Sequence, residues 1–465
     1  MQSENNINIE PSSFRDPSGF LFTREGVLLR QVNVSYQKQY EHLLKSGLYQ
    51  ALTDGGLLIE HTEMNDETPA RDGSFRIIRP EFVRFISYPY EWAFGQYKDA
   101  ALATLRIHRQ ALDFGMILKD ASAYNIQFYK GRPCLIDTLS FDFYSEGEPW
   151  VAYGQFCRHF LAPLLLMAKV DLRLSCLMRA FIDGIPLDLA SSLLRKAKIG
   201  FTAGQHIHLH AKSIRKHEQD GKKNEASGKR LKVSRFAHTA MIDSLIRLIE
   251  GIKLKNVETE WGDYYMHTNY SDEAASLKES IVSSLLDGIA PKTLWDLGAN
   301  DGRYSRLASR RGVEVAAFDI DPIATERNYS LVKSNQDERM IPLILDLTNP
   351  SPDIGFANSE RKSIRARQAP DAIMMLAVIH HLAISNNVPL PNIAKWLSTL
   401  SRNLIIEFVP KEDSQVKVLL ATRADIFPEY NAEGFEAAFG SHYDIIEKRP
   451  IDGTKRTVYL MTAKG

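Results

Sequence analysis

Three groups of residues in this sequence have the types and spacing to do chemistry. The first is the run Trp295-Asp296-Leu297-Gly298-Ala299-Asn300-Asp301-Gly302, followed by Asp319 and Asp346. A glycine-rich turn after a strand lets a ligand approach the backbone, and a helix starting there offers N–H groups without internal partners. An acid about 20 residues further on, at the end of the next strand, can accept hydrogen bonds from both hydroxyls of a ribose. Gly298 and Gly302 supply the turn, Asp319 takes the ribose position, and Asp346 ends a third strand. Each acid also has a plainer reading. Asp319 and Asp321 can be helix N-caps before Pro322, and Asp346 can cap a turn before Asn349-Pro350. The order of the acids and their strand context favour ligand contact.

The second group is His380-His381, just past a fourth strand that starts at Asp371. In an open α/β sheet ligands bind beyond the carboxyl ends of the strands, so a histidine there can face an acceptor group as general base. His380, the first titratable side chain past the strand, is the first choice. The alternative has one or both rings packing or capping. The third group, Asp120, Asn125 and Asp137, lies in the N-terminal half. Its plain reading is turn residues of a hairpin.

The elements that must position these groups follow from periodicity. Alternation around Glu25-Gly26 predicts a hairpin over 20–32; helical spacing follows through Tyr40 to Leu48 and over 99–112. Gly56 to Glu60 reads as extended, and 125–129 and 133–137 as strands separated by Lys130-Gly131-Arg132. From Trp150 to Leu194 the pattern is helical and apolar. From Lys292 strands alternate with helices: strands at 293–296, 313–319, 340–346, 371–376 and 403–408, helices at 304–311 and 322–334. That alternation predicts a parallel, doubly wound sheet, and two final strands, 443–448 and 457–462, add an antiparallel hairpin. After the fifth strand, Val416 to Phe427 is amphipathic and too long for a simple connection, as lids and binding elements are. Trp261 to Tyr270 is dense in aromatics and reads as a lid carrying Tyr265 or Tyr270, or as packing at a domain junction.

On these residues the chain from about Trp261 to its end resembles the class I S-adenosylmethionine-dependent methyltransferases. Their Asp/Glu-x-Gly-x-Gly-x-Gly motif is matched by Asp296-Leu-Gly298-Ala-Asn300-Asp-Gly302, with Asn300 in place of the middle glycine. Asn tolerates left-handed backbone angles, so the turn survives the exchange. The resemblance implies a seven-stranded sheet with an antiparallel last strand and S-adenosyl-L-methionine as cofactor. It implies that Asp319 holds the ribose and Asp346 the adenine, with Asp296, Gly298, Asn300, Gly302, Ile320, Leu347, Leu376 and Tyr270 completing the site and no metal required. The layout of the whole chain also resembles a bacterial methyltransferase family named for host-specific nodulation. That implies a small-molecule, carbohydrate or lipid-like acceptor, methylated at oxygen.

The N-terminal half resembles kinase-like phosphotransferases. Leu118-Lys-Asp120-Ala-Ser-Ala-Tyr-Asn125 and Leu135-Ile-Asp137 are similar to their catalytic and metal-binding loops, and Ile86 to Trp92 to their inter-lobe hinge. Leu118 stands where a histidine is usual, Thr138-Leu139 follows Asp137, and neither a glycine-rich loop nor a nucleotide lysine is evident. A degenerate kinase-like α+β domain that helps bind the acceptor is favoured over an active or bifunctional phosphotransferase, and over a non-catalytic scaffold.

Bulk properties fit this division. With 465 residues the chain is long enough for two or three cores. Residues 1–195 are assigned to the N-terminal domain, 196–258 to a basic helical or linker region, and 259–465 to the methyltransferase domain. Lys plus Arg equals Asp plus Glu at 57 each, which gives no global attraction to nucleic acid or anionic membranes. The lysines and arginines crowded between 211 and 235 read as a solvated linker. His206, His208 and His210 would share one face of a strand, but no acid or thiol stands near to complete a metal site. Three sparse cysteines suit a reducing compartment, the first residues lack a secretion pattern, and no apolar run approaches the roughly 20 residues of a membrane span. A cytoplasmic location is expected; the oligomeric state is left open.

Overall fold

The computed structural model describes residues 7–65, 67–209, 232–254, 271–421 and 423–465. The chain forms two compact units: Met1–Asn256 with Asp353–Lys362, and Val257–Pro352 with Ser363–Gly465. The described part of 196–258 thus lies in the first unit, and so does a ten-residue excursion from the second half of the chain.

The first unit opens with an antiparallel sheet of β1 (Ile7–Ile9), β2 (Gly19–Arg24), β3 (Val27–Asn33), β4 (His61–Glu63) and β5 (Ser74–Pro80), in the order β1-β2-β3-β5-β4. The hairpin expected at Glu25-Gly26 forms between β2 and β3. Both turn residues have positive φ (51° and 80°), the geometry that matches strand twist in a two-residue hairpin. Gly56 to Glu60 makes no strand; Leu58 forms only an isolated bridge to Leu135. The helix Phe94–Asp113 buries Tyr97, Leu105 and His108 among others. It leads to β6 (Met116–Leu118), β7 (Ile126–Tyr129), β8 (Arg132–Leu135) and β9 (Phe141–Phe143), where β7 pairs with β8 and β6 with β9.

Residues 150–194 form short helices, of which Ala162–Lys169 is buried on nearly every side. The helix Arg235–Gly251 packs on Phe94–Asp113, with His238 Nε2 3.0 Å from His108 Nε2. His206 and His208 do not share a strand face as expected. Residues 205–209 form a π-helical turn, and the two rings bond separate partners, Tyr153 Oη at 2.6 Å and Ser191 Oγ at 2.7 Å. His210 lies outside the described residues.

The second unit is built on β10 (Thr293–Leu297), β11 (Glu314–Asp319), β12 (Met340–Ile344), β13 (Ala372–Met375), β14 (Asn403–Phe408), β15 (Tyr443–Pro450) and β16 (Thr457–Ala463). Their order is β12-β11-β10-β13-β14-β16-β15; β10 to β14 run parallel, and β16 inserts antiparallel between β14 and β15. Seven strands with an antiparallel strand inserted near one edge are what the sequence leads us to expect. The parallel strands are buried along most of their length, as strands covered on both faces must be. The edge strand β15 is mostly exposed and carries Glu447, Lys448 and Arg449, charges that discourage pairing with another chain. The helix expected at 304–311 is only Ser305–Ser309, and the amphipathic stretch after β14 is helical over Ser414–Leu420. Among the described residues no helix is long and apolar enough to cross a membrane.

Candidate active site

The strand β10 ends in a turn with three left-handed residues, two of them glycines. Gly298 and Gly302 have φ of 91° and 81°, and Asn300 sits between them at 51°. A Cβ on Gly298 would stand 2.1 Å from Val378 Cγ2, and one on Gly302 would stand 2.4 Å from Asn328 Oδ1. Both glycines therefore serve angle and space together. The N–H groups of Gly298 and Ala299 donate to the Phe318 carbonyl at 2.8 Å each, tying the turn to the end of β11.

That tie places Asp319 under the turn. Its carboxylate accepts from the Asn300 N–H at 2.7 Å and the Asp321 N–H at 2.8 Å. Asp321 instead turns to the next helix and caps it, accepting from Ile323 N and Ala324 N at 2.7 and 3.1 Å. The sequence leaves a capping role open to both acids, and of the two it is Asp321 that caps the helix. Each carboxylate oxygen offers two acceptor sites, so Asp319 keeps capacity toward the cavity it lines. Burial pushes Asp319 up to about 6 despite its backbone donors. Burial likewise pushes Asp296 up to about 7, against a 2.6 Å hydrogen bond from Ser305 Oγ.

The cavity, of about 370 Å³, falls in the range of small-molecule sites. Among its walls are Asp296, Gly298, Asn300, Asp319, Ile320, Asp346, Leu347, Leu376 and His381, all expected from the sequence. Ile320 is 56% exposed, an apolar surface held at the cavity and suited to a flat ring. Asp346 caps its turn, its Oδ1 accepting from Thr348 N and Oγ1 at 2.8 and 2.6 Å, and it also lines the cavity. Gly302 shapes the turn without forming the wall. Tyr270, with Tyr265 and Trp261, lies outside the described residues.

The first choice of base is corrected. His380 is 2% exposed, is absent from the cavity wall, and leaves its buried Nδ1 without a hydrogen-bond partner. Burial holds it well below the usual histidine range. The strand end explains the change. Ala377 takes a positive φ of 55°, the chain coils so that His381 N bonds Val378 O, and His381 becomes the ring on the wall. Burial, helped by Arg456, pushes His381 down to about 4.

Sequence reasoning missed the charged wall behind this ring. Lys278, 3% exposed, lines the cavity and pairs with the fully buried Glu407 at 2.7 Å. Arg456 reaches Glu407 at 3.5 Å and Asp413 at 2.8 Å. One signal was available. In the helix Asp272–Ile289, Lys278 falls on the buried face with Ala274 and Val282, four residues to either side, and a charge on an apolar stripe needs a partner.

No family model matches the chain. Nodulation protein NoeA of Rhizobium meliloti (strain 1021), however, is 34% identical over 456 residues, which span 96% of this chain and 94% of NoeA. The chain belongs to the NoeA family. Among solved structures, WbdD is 15% identical, with 41% of this chain and 40% of WbdD covered at a TM-score of 0.29. Magnesium protoporphyrin IX methyltransferase (ChlM) from Synechocystis PCC 6803, with bound SAH, is 15% identical over 43% of this chain and 91% of its own, at a TM-score of 0.30. These overlaps are partial, and less than half of WbdD is matched; neither assigns a role to a residue here.

The N-terminal trio does come together. Asn125 hydrogen-bonds Asp120, and burial followed by the nearby Asp137 raises the Asp120 carboxyl above its ordinary value. Asp120 also accepts from Gln155 Nε2 at 2.8 Å and Ser122 N at 3.0 Å.

Proposed function

We propose that this NoeA-family chain is an S-adenosyl-L-methionine-dependent methyltransferase acting on a small-molecule, carbohydrate or lipid-like hydroxyl. The observation that carries the reading is Asp319: a carboxylate at the end of the second parallel strand, steadied by two backbone N–H groups, with its remaining capacity on a cavity. The cavity residues fit the cofactor. Asp319 would take the ribose hydroxyls, Ile320 and Leu347 the faces of the adenine, Asp346 its edge, and the Gly298 turn the amino-acid end. When bound, the cofactor supplies an electrophilic methyl group, and in-line positioning of the acceptor provides much of the acceleration.

His381 faces the acceptor. It is neutral near pH 7, so one ring nitrogen can accept a hydrogen bond from the acceptor hydroxyl. A ring this weakly basic has little driving force to remove a proton fully, so we assign it to orienting the hydroxyl. Titration calorimetry with S-adenosylhomocysteine tests the reading. Binding that Asp319→Ala weakens supports it, and no heat at millimolar ligand would overturn it.

For the first unit we favour a degenerate kinase-like scaffold. The support is the order of its parts: a five-stranded sheet, a connecting segment, a long helix, then loops bringing Asp120, Asn125 and Asp137 together. A thermal shift with ATP and magnesium that disappears in Asp137→Ala would restore the phosphotransferase alternative.

A further inference from the structure

The kinase-like resemblance implies a divalent cation at Asp137 and Asn125, and the residues around them do not fit one. Arg30 of β3 reaches from the sheet and places Nη1 2.6 Å from Asp137 Oδ1, with side chains only 10% and 14% exposed. The other Asp137 oxygen accepts a close hydrogen bond from Ser140 Oγ, and Leu139 N donates to Oδ1 at 3.2 Å. Asn125 Nδ2 points to the same Ser140 hydroxyl at 3.4 Å and also bonds Asp120. Arg30 Nη2 lies 3.8 Å from Asp16, so the guanidinium is anchored from two sides. Both Asp137 oxygens are thus engaged by neighbours, one of them by a guanidinium, so the positive charge a metal would bring is already there. Among the described residues no three His, Cys, Asp or Glu side chains are grouped to hold a metal.

We propose that Arg30 is a built-in cation for the Asp120–Asn125–Asp137 cluster, standing where the resemblance puts a metal, so that this cluster ties β3 to the loop after β8 rather than transferring phosphate. A fixed guanidinium and a divalent ion compete for one carboxylate, because two cations a few ångströms apart in a half-buried site repel strongly. The competition runs one way here, since Arg30 is covalently attached and cannot leave with solvent. Removing it would leave Asp137 and Asp120 as adjacent, poorly compensated carboxylates, the condition that draws a divalent ion.

Manganese is the probe, followed by electron paramagnetic resonance on the full-length chain. The wild type should show no site abolished by Asp137→Asn, and Arg30→Met should bind manganese at least about tenfold more tightly than the wild type. A wild-type manganese site that Asp137→Asn removes would overturn the proposal, and so would a folded Arg30→Met chain that gains none. If Arg30→Met fails to fold, the double variant Arg30→Met/Asp137→Leu decides. Recovery of the melting transition supports the ion pair as a structural tie; a double variant as damaged as the single one refutes it. Neither outcome depends on whether the second unit binds S-adenosylhomocysteine, which calorimetry reads separately.

Discussion

Asp319 and Asp137 are both carboxylates at the end of a short strand or just beyond one, and they have different companions. Asp319 is held by two neutral backbone donors, Asn300 N and Asp321 N, and remains on a cavity wall. Asp137 is met by a guanidinium. Neutral donors steady a carboxylate without cancelling its charge, so it can still serve a ligand; a nearby fixed cation completes it. On the proposals above, the partner more than the acid separates the two roles. Glu407 gives the same lesson inside the second unit, because Lys278 and Arg456 hold it in a buried charge cluster behind the cavity wall.

The largest effect expected from this contrast is at Glu407. Glu407→Ala should leave Lys278 and Arg456 buried with one partner fewer, at a cost of about 3–5 kcal/mol, since breaking a buried pair strands a charge. Urea unfolding measures it, and a loss below about 1 kcal/mol would mean the wall is not held by charge. Asp319→Ala should behave oppositely. It should weaken S-adenosylhomocysteine binding by about 1–3 kcal/mol, the cost of ribose hydroxyls without partners, while the urea midpoint of the unliganded chain stays level or rises.

pH sharpens the same comparison. Asp319 and Asp296 titrate near 6 and 7 in the fold, above an unfolded value of about 3.9. Their contribution to stability without ligand is therefore fully present below about pH 4 and is lost as pH rises through 6 to 7. Ligand binding runs the other way, because ribose hydroxyls donate to the ionised acid. Affinity should fall as pH drops through about 6, and Asp319→Asn should flatten that profile. A wild-type profile flat from pH 5 to 8 would remove Asp319 from the ribose.

Smaller effects are expected at His381 and Asp346. His381→Ala should lower turnover about tenfold, or about 1.4 kcal/mol, with His381→Asn retaining part of the rate if the ring orients the hydroxyl. His380→Ala should change the melting temperature more than the turnover; the reverse result would return the acceptor role to His380. Asp346→Ala should cost no more than about 1 kcal/mol in S-adenosylhomocysteine affinity, because Thr348 already occupies one oxygen.

Much of this molecule was written in its sequence, where local rules suffice. The strands from Thr293 to Phe408 follow from continuous apolar runs, because a strand covered on both faces has no polar side. The Glu25-Gly26 and Lys130-Gly131 hairpins follow from the glycine in each turn and the alternating strands on either side. The turn at Gly298 and the acids at 319 and 346 were legible because motif spacing and strand ends coincide. What only the tertiary structure decided involves partners distant in sequence or a change of direction. Lys278 meets Glu407 across 129 residues, and Arg30 meets Asp137 across 107. No periodicity encodes such pairings, because they arise from strand order and helix packing. That His381 and not His380 lines the cavity goes with a change of chain direction at Ala377, whose φ is positive. An alanine seldom adopts that angle by its own preference, so the surrounding packing sets it.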